Sequence, residues 1–384
     1  MCFLMVVNFH QKEFIRKHVY DKIVARFKNM PEEYITAKAA SEMLETTTKI
    51  IRELVEKGLL HPVQLSPHKK MYPKNEVEVL VYKKDGIDLL KKKESVVSPR
   101  NTLNDLNGTE WLPETKSFFF QRGLGSSSSA AQIERQHPAP FSFQDIEKLI
   151  TFFTKKGMVV LDPFGGVGST AKACELTGRK CISIELSKKW HDLSLLRLET
   201  EVGEGASSKH EFINDDCISV LAKMNDNVVD FMVTSPPYWS ILNKKLDHKT
   251  QKRADQNLET HYSDDKLDLG NIEDYNEFLD VLVDRVFIPC ARVLKPTKYM
   301  ALVVSDFRNK SEYMSFHSDL IIRMRNKELP GNCVLRLQGT KILLQNHKSL
   351  LPYGYPCSYV ENIHHQYILI FRKEVLPVKK GKTK

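Results

Sequence analysis

The stretch from Met158 to Ala173, MVVLDPFGGVGSTAKA, narrows the possible folds more than any other part of the chain. It reads as a buried strand, a sharp glycine turn and the start of a helix. Gly165, Gly166 and Gly168 carry no Cβ, so the backbone can turn tightly and lie against a ligand, while the new helix offers free N–H groups. A phosphate loop of the Walker type needs Lys before Ser; Gly168 stands before Ser169, which argues against an NTPase. The spacing Gly166-x-Gly168-x-x-Ala171, with Glu185 at the end of the following strand, fits a dinucleotide fingerprint. Taken by itself, the turn suits a nicotinamide cofactor and S-adenosylmethionine (SAM) equally.

Asp162, Pro163 and Phe164, just before the glycines, tip that balance. A carboxylate at the strand end can pair with the ammonium of a bound amino acid, a group that SAM carries and NAD lacks. Glu185 is then placed to accept hydrogen bonds from both ribose hydroxyls. In FINDDCISVL, Asp216 sits where a third strand ends, within reach of an adenine amine; Asp215 is nearly equivalent, and either can instead cap a helix.

Apolar runs of strand length (Met158 to Leu161, Lys180 to Ile184, Val228 to Val233, Tyr299 to Val304, Gln366 to Phe371) alternate with helical patterns (Phe143 to Thr154, Thr170 to Thr177, Lys188 to Glu201, Tyr275 to Val293). The alternation predicts an α/β fold with a mostly parallel sheet and helices on both faces. One of these strands ends in Thr234-Ser235-Pro236-Pro237-Tyr238-Trp239. Pro236 and Pro237 fix φ and remove two N–H donors, so the turn presents acceptors. An exocyclic amine on a nucleobase is a poor nucleophile because its lone pair is delocalised into the ring. Two hydrogen bonds accepted from its N–H groups, by Ser235 Oγ and the Pro236 carbonyl, draw it toward sp³ geometry and free that lone pair. Tyr238 offers a face for base stacking, worth about 1–3 kcal/mol. A generic proline-rich surface turn does not explain small polar, Pro, Pro and aromatic in that order beside DPFGGVG.

With DPFGGVGST as motif I and TSPPYW as motif IV, residues 110–373 resemble the amino-methyltransferases of DNA. RQHPAPFSFQDIEKLITFF is similar to the family's motif X, with His137, Pro138 and Phe141 at the positions that help enclose the SAM methionine, and HHQYILIFRK is similar to its closing strand. The resemblance implies a Rossmann-like sheet that binds SAM through Asp162, Phe164, Gly165, Gly166, Gly168, Glu185 and Asp216. It also implies methyl transfer to a flipped base at Ser235, Pro236, Pro237 and Tyr238. Ser at 235, in place of Asp or Asn, is the version associated with cytosine N4; adenine N6 is the alternative. The order X, I, IV is that of a permuted subgroup, since many cytosine-N4 members carry motif IV first. A carbon-5 cytosine enzyme needs a thiolate, typically in Pro-Cys-Gln. Here Pro289-Cys290 is followed by Ala and Pro356-Cys357 by Ser, and Cys290 reads as core.

The first hundred residues have a different character. Thr36 is a candidate N-cap for a helix over Ala37 to Leu44, a second helix runs from Thr47 to Lys57 and stops at Gly58, LLHPVQLSPHKKMYP alternates like a β-wing, and Pro73 opens a further helical run. The segment resembles the MerR/excisionase-like winged helix-turn-helix at Ala39, Ala40, Leu44, Ile51, Arg52, Leu54, Gly58, Leu59, Leu60, Tyr72 and Pro73. That resemblance implies DNA docking, with Lys49 and Arg52 on the recognition helix and Lys69 and Lys70 on the wing; a small helical domain is the plainer alternative. We therefore expect a winged helix-turn-helix domain over 1–95, a linker and lead-in over 96–135, the methyltransferase domain over 136–375 and a basic tail over 376–384. A basic insert, ILNKKLDHKTQKRADQNLETHY, follows motif IV. Its Lys244, Lys245, Lys249 and Arg253 are candidates to close on flipped DNA, against the alternative of a solvated loop.

The 57 Lys+Arg against 48 Asp+Glu leave a net charge of +9, which suits a polyanionic partner, such as the double-stranded DNA that the resemblance implies, but also fits unrelated enzymes. Hydrophobic residues at 41% and charged residues at 27% exclude a fibrous or low-complexity protein. Seven scattered cysteines without a C-x-x-C pair predict reduced thiols, a cytoplasmic protein and no metal site. The apolar run Met1 to Val7 is too short to cross a bilayer, so no membrane association is expected. His364 and His365 face opposite sides of a strand, and DLGNIEDY, from Asp268 to Tyr275, reads as the lead into a helix. No nuclease motif is present, so any cognate restriction endonuclease is a separate protein. A DNA-binding regulator with an inactive methyltransferase fold is the reading from a different class.

Overall fold

The computed structural model describes residues 33–44, 46–66, 69–82, 96–121, 132–138, 142–240, 265–345 and 348–377. The chain divides into two units, Met1–Ser95 and Val96–Lys384. In the first, β1 (Tyr34–Ile35) leads into α1 (Ala37–Met43) and α2 (Thr48–Glu56), followed by β2 (Val63–Ser66), β3 (Lys69–Pro73) and α3 (Lys74–Tyr82). Thr36 caps α1 by accepting from the Ala39 N–H at 3.1 Å. Gly58, at φ +68°, ends α2, and the Leu59 N–H reaches back to Leu54 O at 2.9 Å. Ile51 and Leu54 on α2 pack with Ala40, Leu60, Tyr72 and Val77 into a small core. Pro73 closes β3 where the sequence has it opening a helix; its fixed φ suits the end of a strand equally well, and Lys74 begins α3.

In the second unit, α4 (Gly108–Glu114) and β4 (Phe118–Phe120) precede α5 (Phe143–Phe153) and the alternating run β5 (Val159–Asp162), α6 (Ser169–Thr177), β6 (Lys180–Ile184), α7 (Lys188–Glu201), β7 (Glu211–Ile213), α8 (Cys217–Lys223) and β8 (Val229–Thr234). Then come α9 (Tyr275–Asp280), a π-helical stretch (Val281–Phe287), α10 (Ile288–Val293), β9 (Leu294–Val304), β10 (Phe307–Asn309), β11 (Glu312–Met314), α11 (Phe316–Met324), β12 (Glu328–Leu329), β13 (Cys333–Leu344) and β14 (His365–Val375). The sheet order is β12-β13-β14-β9-β8-β5-β6-β7, with β4 beside β13. Strands β7, β6, β5, β8 and β9 are mutually parallel, β14 runs antiparallel to β9, and β13, antiparallel to β14, resumes the direction of the parallel set.

After β5 the chain steps outward to β6 and β7, then crosses back to β8 on the other side of β5. Ligands of such sheets bind beyond the carboxyl ends of the strands at that reversal. β8 is buried along its whole length, because helices cover both faces of the sheet. Met232, Phe278, Phe287 and Met300 belong to the apolar layer on one face, and Ile146, Phe153, Phe231 and Val233 to the layer on the other.

Two expectations gain detail. Within the stretch expected as linker and lead-in, the described residues 96–121 carry regular structure. Asn107 and Glu110 form a reciprocal capping box on α4, β4 pairs with β13, and the fully buried Asn104 donates to Phe152 O at 2.6 Å. The helix expected over Tyr275 to Val293 passes through a π stretch in its middle. Cys290 is fully buried in α10, as its apolar neighbours suggest. Among the described residues no helix is long and apolar enough to cross a membrane.

Candidate active site

Each glycine of the turn after β5 is required for its own reason. Gly165 donates to Ile184 O at 2.8 Å, tying the loop to β6 so closely that a Cβ would collide with the Ser183 hydroxyl. Gly168 is the left-handed N-cap of α6 at φ +75°, and a Cβ there would meet Ser194 Cβ of α7 at 2.9 Å. Gly166, at φ +50°, faces the ring of His137, where a Cβ would come within 3.6 Å of Nε2. Arg197 of α7, fully buried, holds the loop from the other side. Its guanidinium donates to Ser169 Oγ at 2.9 Å, Glu201 at 2.9 Å and Glu134 at 2.6 Å. Burial raises the Glu134 carboxyl despite that partner.

A cleft opens beyond the carboxyl ends of β5, β6 and β8, enclosing about 740 Å³ together with its solvent-open mouth. His137, Phe164, Gly166, Glu185 and Asp216 line it, and so do Ser235, Pro236 and Pro237. A smaller hollow of about 340 Å³ shares His137, Phe164, Gly166 and Ser235 and adds Asp162 and Gly165. Glu185 follows β6 and accepts from the Gly166 and Ser187 N–H groups, each at 2.8 Å. Desolvation lifts its carboxyl to about 7, against the pull of those two amides. Asp216 caps α8 by accepting from Ile218 and Ser219, so the capping role is realised and the residue still faces the cleft. Asp215 accepts from the Asp216 N–H and is absent from the cleft lining.

Asp162 does more than the sequence suggests. Its carboxylate, 2% exposed, accepts from Thr170 at 2.5 Å, Thr234 at 2.6 Å and the Phe164 N–H at 3.1 Å, stitching β5, α6 and β8 together. Burial raises its pKa, opposed by those hydrogen bonds. A carboxylate has about four acceptor positions, so one remains for a ligand ammonium.

The TSPPYW turn leaves β8 with Ser235, Pro236 and Pro237 on the cleft. Trp239 ends it at φ +41°, a costly conformation for a bulky residue, and its buried indole packs against Tyr275 and Phe307. Tyr238 does not line the cleft. Its ring meets Phe316 edge-on, its hydroxyl accepts from Gln366 Nε2 at 3.0 Å, and burial raises the phenol pKa against the effect of Ser235, Gln366 and the Ser305 backbone.

Of the other candidates, Pro138 and Gly168 lie outside both linings, and Phe141 falls outside the described residues. Lys49 and Arg52 are exposed on α2, and Lys69 and Lys70 are exposed on β3. Lys244, Lys245, Lys249 and Arg253 are outside the described residues. Sequence reasoning missed Trp190, which walls the cleft and meets His137 edge-on at 4.9 Å. It also missed Leu267, and Asp268 and Leu269 from the segment read only as a helix lead, all of which line the cleft. A tryptophan in a helix carries no local sign of a ligand, and neither does that segment.

A doubly wound sheet with two acids at its reversal point and an acceptor-rich proline turn on the same cleft is that of a SAM-dependent methyltransferase. SAM fits the residues present: Gly166 leaves open the space toward His137, Glu185 keeps acceptor capacity for two hydroxyls, and Asp162 offers a negative group for an ammonium. The DNA methylase family of N6/N4 type matches residues 4–195, half of the chain, and the chain belongs to that family. It is 39% identical over 75 residues to the orphan methyltransferase M.BamHII of Bacillus amyloliquefaciens, covering 20% of this chain and 28% of that protein. It is 35% identical over 77 residues to the type II methyltransferase M.ScaI of Streptomyces caespitosus, covering 20% and 25%. The chain thus spans only about a quarter of the length of these curated relatives. A SAM-dependent O-methyltransferase from Thermotoga maritima overlaps 62% of this chain and 66% of its own at 14% identity and a TM-score of 0.33, too loose a likeness to carry an argument.

Proposed function

We propose that the protein transfers the methyl group of SAM to the exocyclic amine of a flipped DNA base, cytosine N4 by the serine at 235, with adenine N6 the alternative. One observation carries the reading: Ser235, Pro236 and Pro237 line the same cleft as Gly166, Glu185 and Asp216. SAM supplies an electrophilic methyl group on a sulfonium. In this reading Asp162 takes the ligand ammonium, Glu185 the ribose hydroxyls and Asp216 the adenine amine. His137 and Phe164 exclude water from the methionine end. Ser235 Oγ and the Pro236 carbonyl accept from the two N–H groups of the target amine, freeing its lone pair. Cys217 also lines the cleft, but burial pushes its thiol pKa up, which disfavours a thiolate mechanism.

The first unit is read as a winged helix-turn-helix that grips duplex DNA through Lys49, Arg52, Lys69 and Lys70, and the Lys244 to Arg253 insert as a second contact. Flipping a base out costs a few kcal/mol, so a firm hold on the backbone is needed. The deciding experiment incubates the full-length protein with SAM and unmethylated DNA and analyses the nucleosides by mass spectrometry. N4-methylcytosine is the expected product. N6-methyladenine would move the assignment to the alternative, and bound SAM with neither product would favour a non-catalytic regulator.

A further inference from the structure

We propose that the segment 348–364, between β13 and β14, is a DNA contact whose tyrosine rings stack on bases left unstacked when the target is flipped out. The inference rests on the DNA methyltransferase reading and deepens it with a surface outside the cleft. Leu344 at the end of β13 pairs with His365 at the start of β14, and Tyr367 pairs with Val304 at the carboxyl end of β9. The segment therefore leaves and rejoins the sheet on the edge where β8 delivers the acceptor turn. Gln366, two residues past its end, donates to Tyr238 of that turn at 3.0 Å. Tyr355 is 82% exposed, Tyr359 85% and Leu350 77%, and Tyr353 is exposed as well. With Tyr313 of β11, whose hydroxyl donates to Asp306 just past β9 at 3.0 Å, these are the exposed tyrosines among the described residues, and all lie at this edge.

The backbone that carries these rings is braced. Asn362 clamps Leu351 twice, its Oδ1 accepting from the Leu351 N–H and its Nδ2 donating to Leu351 O, each at 2.9 Å. Gly354 O accepts from the Cys357 N–H at 2.8 Å and the Ser358 N–H at 2.7 Å. Gly354 itself sits at φ +72°, where a Cβ would collide with Ser358 O. Rings on a braced backbone lose less freedom when they bind, which favours contact with a partner. The partner's chemistry follows from the side chains. Tyrosine offers a π face and keeps its hydroxyl in water, so it suits a surface that is wet when unbound and stacked when bound. Lys348 and His364 flank the rings against one acid, Glu361, and the chain as a whole carries +9, which favours a polyanion over a second copy of the same charge. Flipping a base breaks its stacks and leaves its neighbours with open faces, and an aromatic ring can replace the lost stack.

The test uses the full-length protein and a fluorescein-labelled single-stranded oligodeoxythymidine, whose base faces are open without flipping, with binding read by anisotropy across a salt series. Combining Tyr355→Ala with Tyr359→Ala should weaken binding about 10- to 100-fold. The slope of log affinity against log salt should stay at the wild-type value, because stacking releases no counterions. Tyr355→Phe with Tyr359→Phe should bind within about twofold of wild type, since the π faces remain, and the SAM dissociation constant should be unchanged in both variants. Wild-type affinity in the alanine variant overturns the inference alone, as does a lowered salt slope. Loss of affinity together with dissociation of a dimer in sedimentation assigns the face to a second copy and also overturns it. Should the alanine variant fail to fold, photocrosslinking of wild-type protein to an oligonucleotide carrying 5-iododeoxyuridine decides: cross-links at Tyr355 or Tyr359 are expected, and cross-links confined to other segments overturn the inference. Wild-type protein that binds duplex DNA but not the single strand overturns it alone, whereas protein that binds SAM and neither form of DNA overturns the DNA methyltransferase reading with it.

Discussion

In the proposed reading, Glu185 couples ligand binding to proton release. Its ionised form would offer more acceptor capacity to ribose hydroxyls, and burial pushes its carboxyl up to about 7. SAM affinity is therefore expected to rise about tenfold between about pH 6 and pH 8, and calorimetry on Glu185→Gln should find that dependence gone. The contribution to stability has the opposite sign. The folded protein keeps this proton up to about 7 and the unfolded chain only to 4.5, so across that window stability declines as pH rises. Ser235→Ala should cut turnover about 100-fold and leave SAM binding intact, read as kcat against the SAM dissociation constant. Asp162→Ala is a poor probe of ligand binding, since it strips the partners from Thr170 and Thr234 as well; Asp162→Asn keeps most of that bonding. Asp162, Glu185 and Ser235 are legible in the sequence because their chemistry recurs at fixed offsets from glycines and prolines. Trp190 is not, because a tryptophan within a helix does not announce that it will face a cleft.

At the scale of elements, the glycine loop is held by α6 on one side and α7 on the other. Gly168→Ala must place a side chain in the left-handed region and against Ser194, and should lower stability by about 1–3 kcal/mol in thermal unfolding. Arg197→Met leaves Glu134 without its buried partner, and a loss of about 3–5 kcal/mol is expected in urea titration. Strands β5, β6 and β8 are readable as apolar runs because both faces of a central parallel strand are covered. β13 escapes notice because RLQGTK interrupts its apolar pattern and its register shifts between Leu337 and Gly339. β4 is three phenylalanines with no period to measure, and only its pairing with β13 makes it a strand.

For the molecule as a whole, the first unit supplies four exposed cations on α2 and β3. Reversing Lys49 and Arg52 to Glu should weaken DNA binding and flatten the slope of log affinity against log salt by about 0.9 for each phosphate that is no longer neutralised, with SAM affinity unchanged; equal salt slopes would remove this unit from the interface. The amino-acid order alone determined the α/β alternation, the glycine turn and the acceptor turn, because these depend on short-range rules: side-chain period, missing Cβ atoms and locked φ angles. Only the tertiary structure decided that the two turns share one cleft, that Asp216 and not Asp215 faces it, and that Trp190 and Leu267 to Leu269 enclose it. Those facts follow from the crossing from β7 back to β8, which brings residues far apart in the chain to neighbouring strand ends, and no local pattern encodes such a meeting.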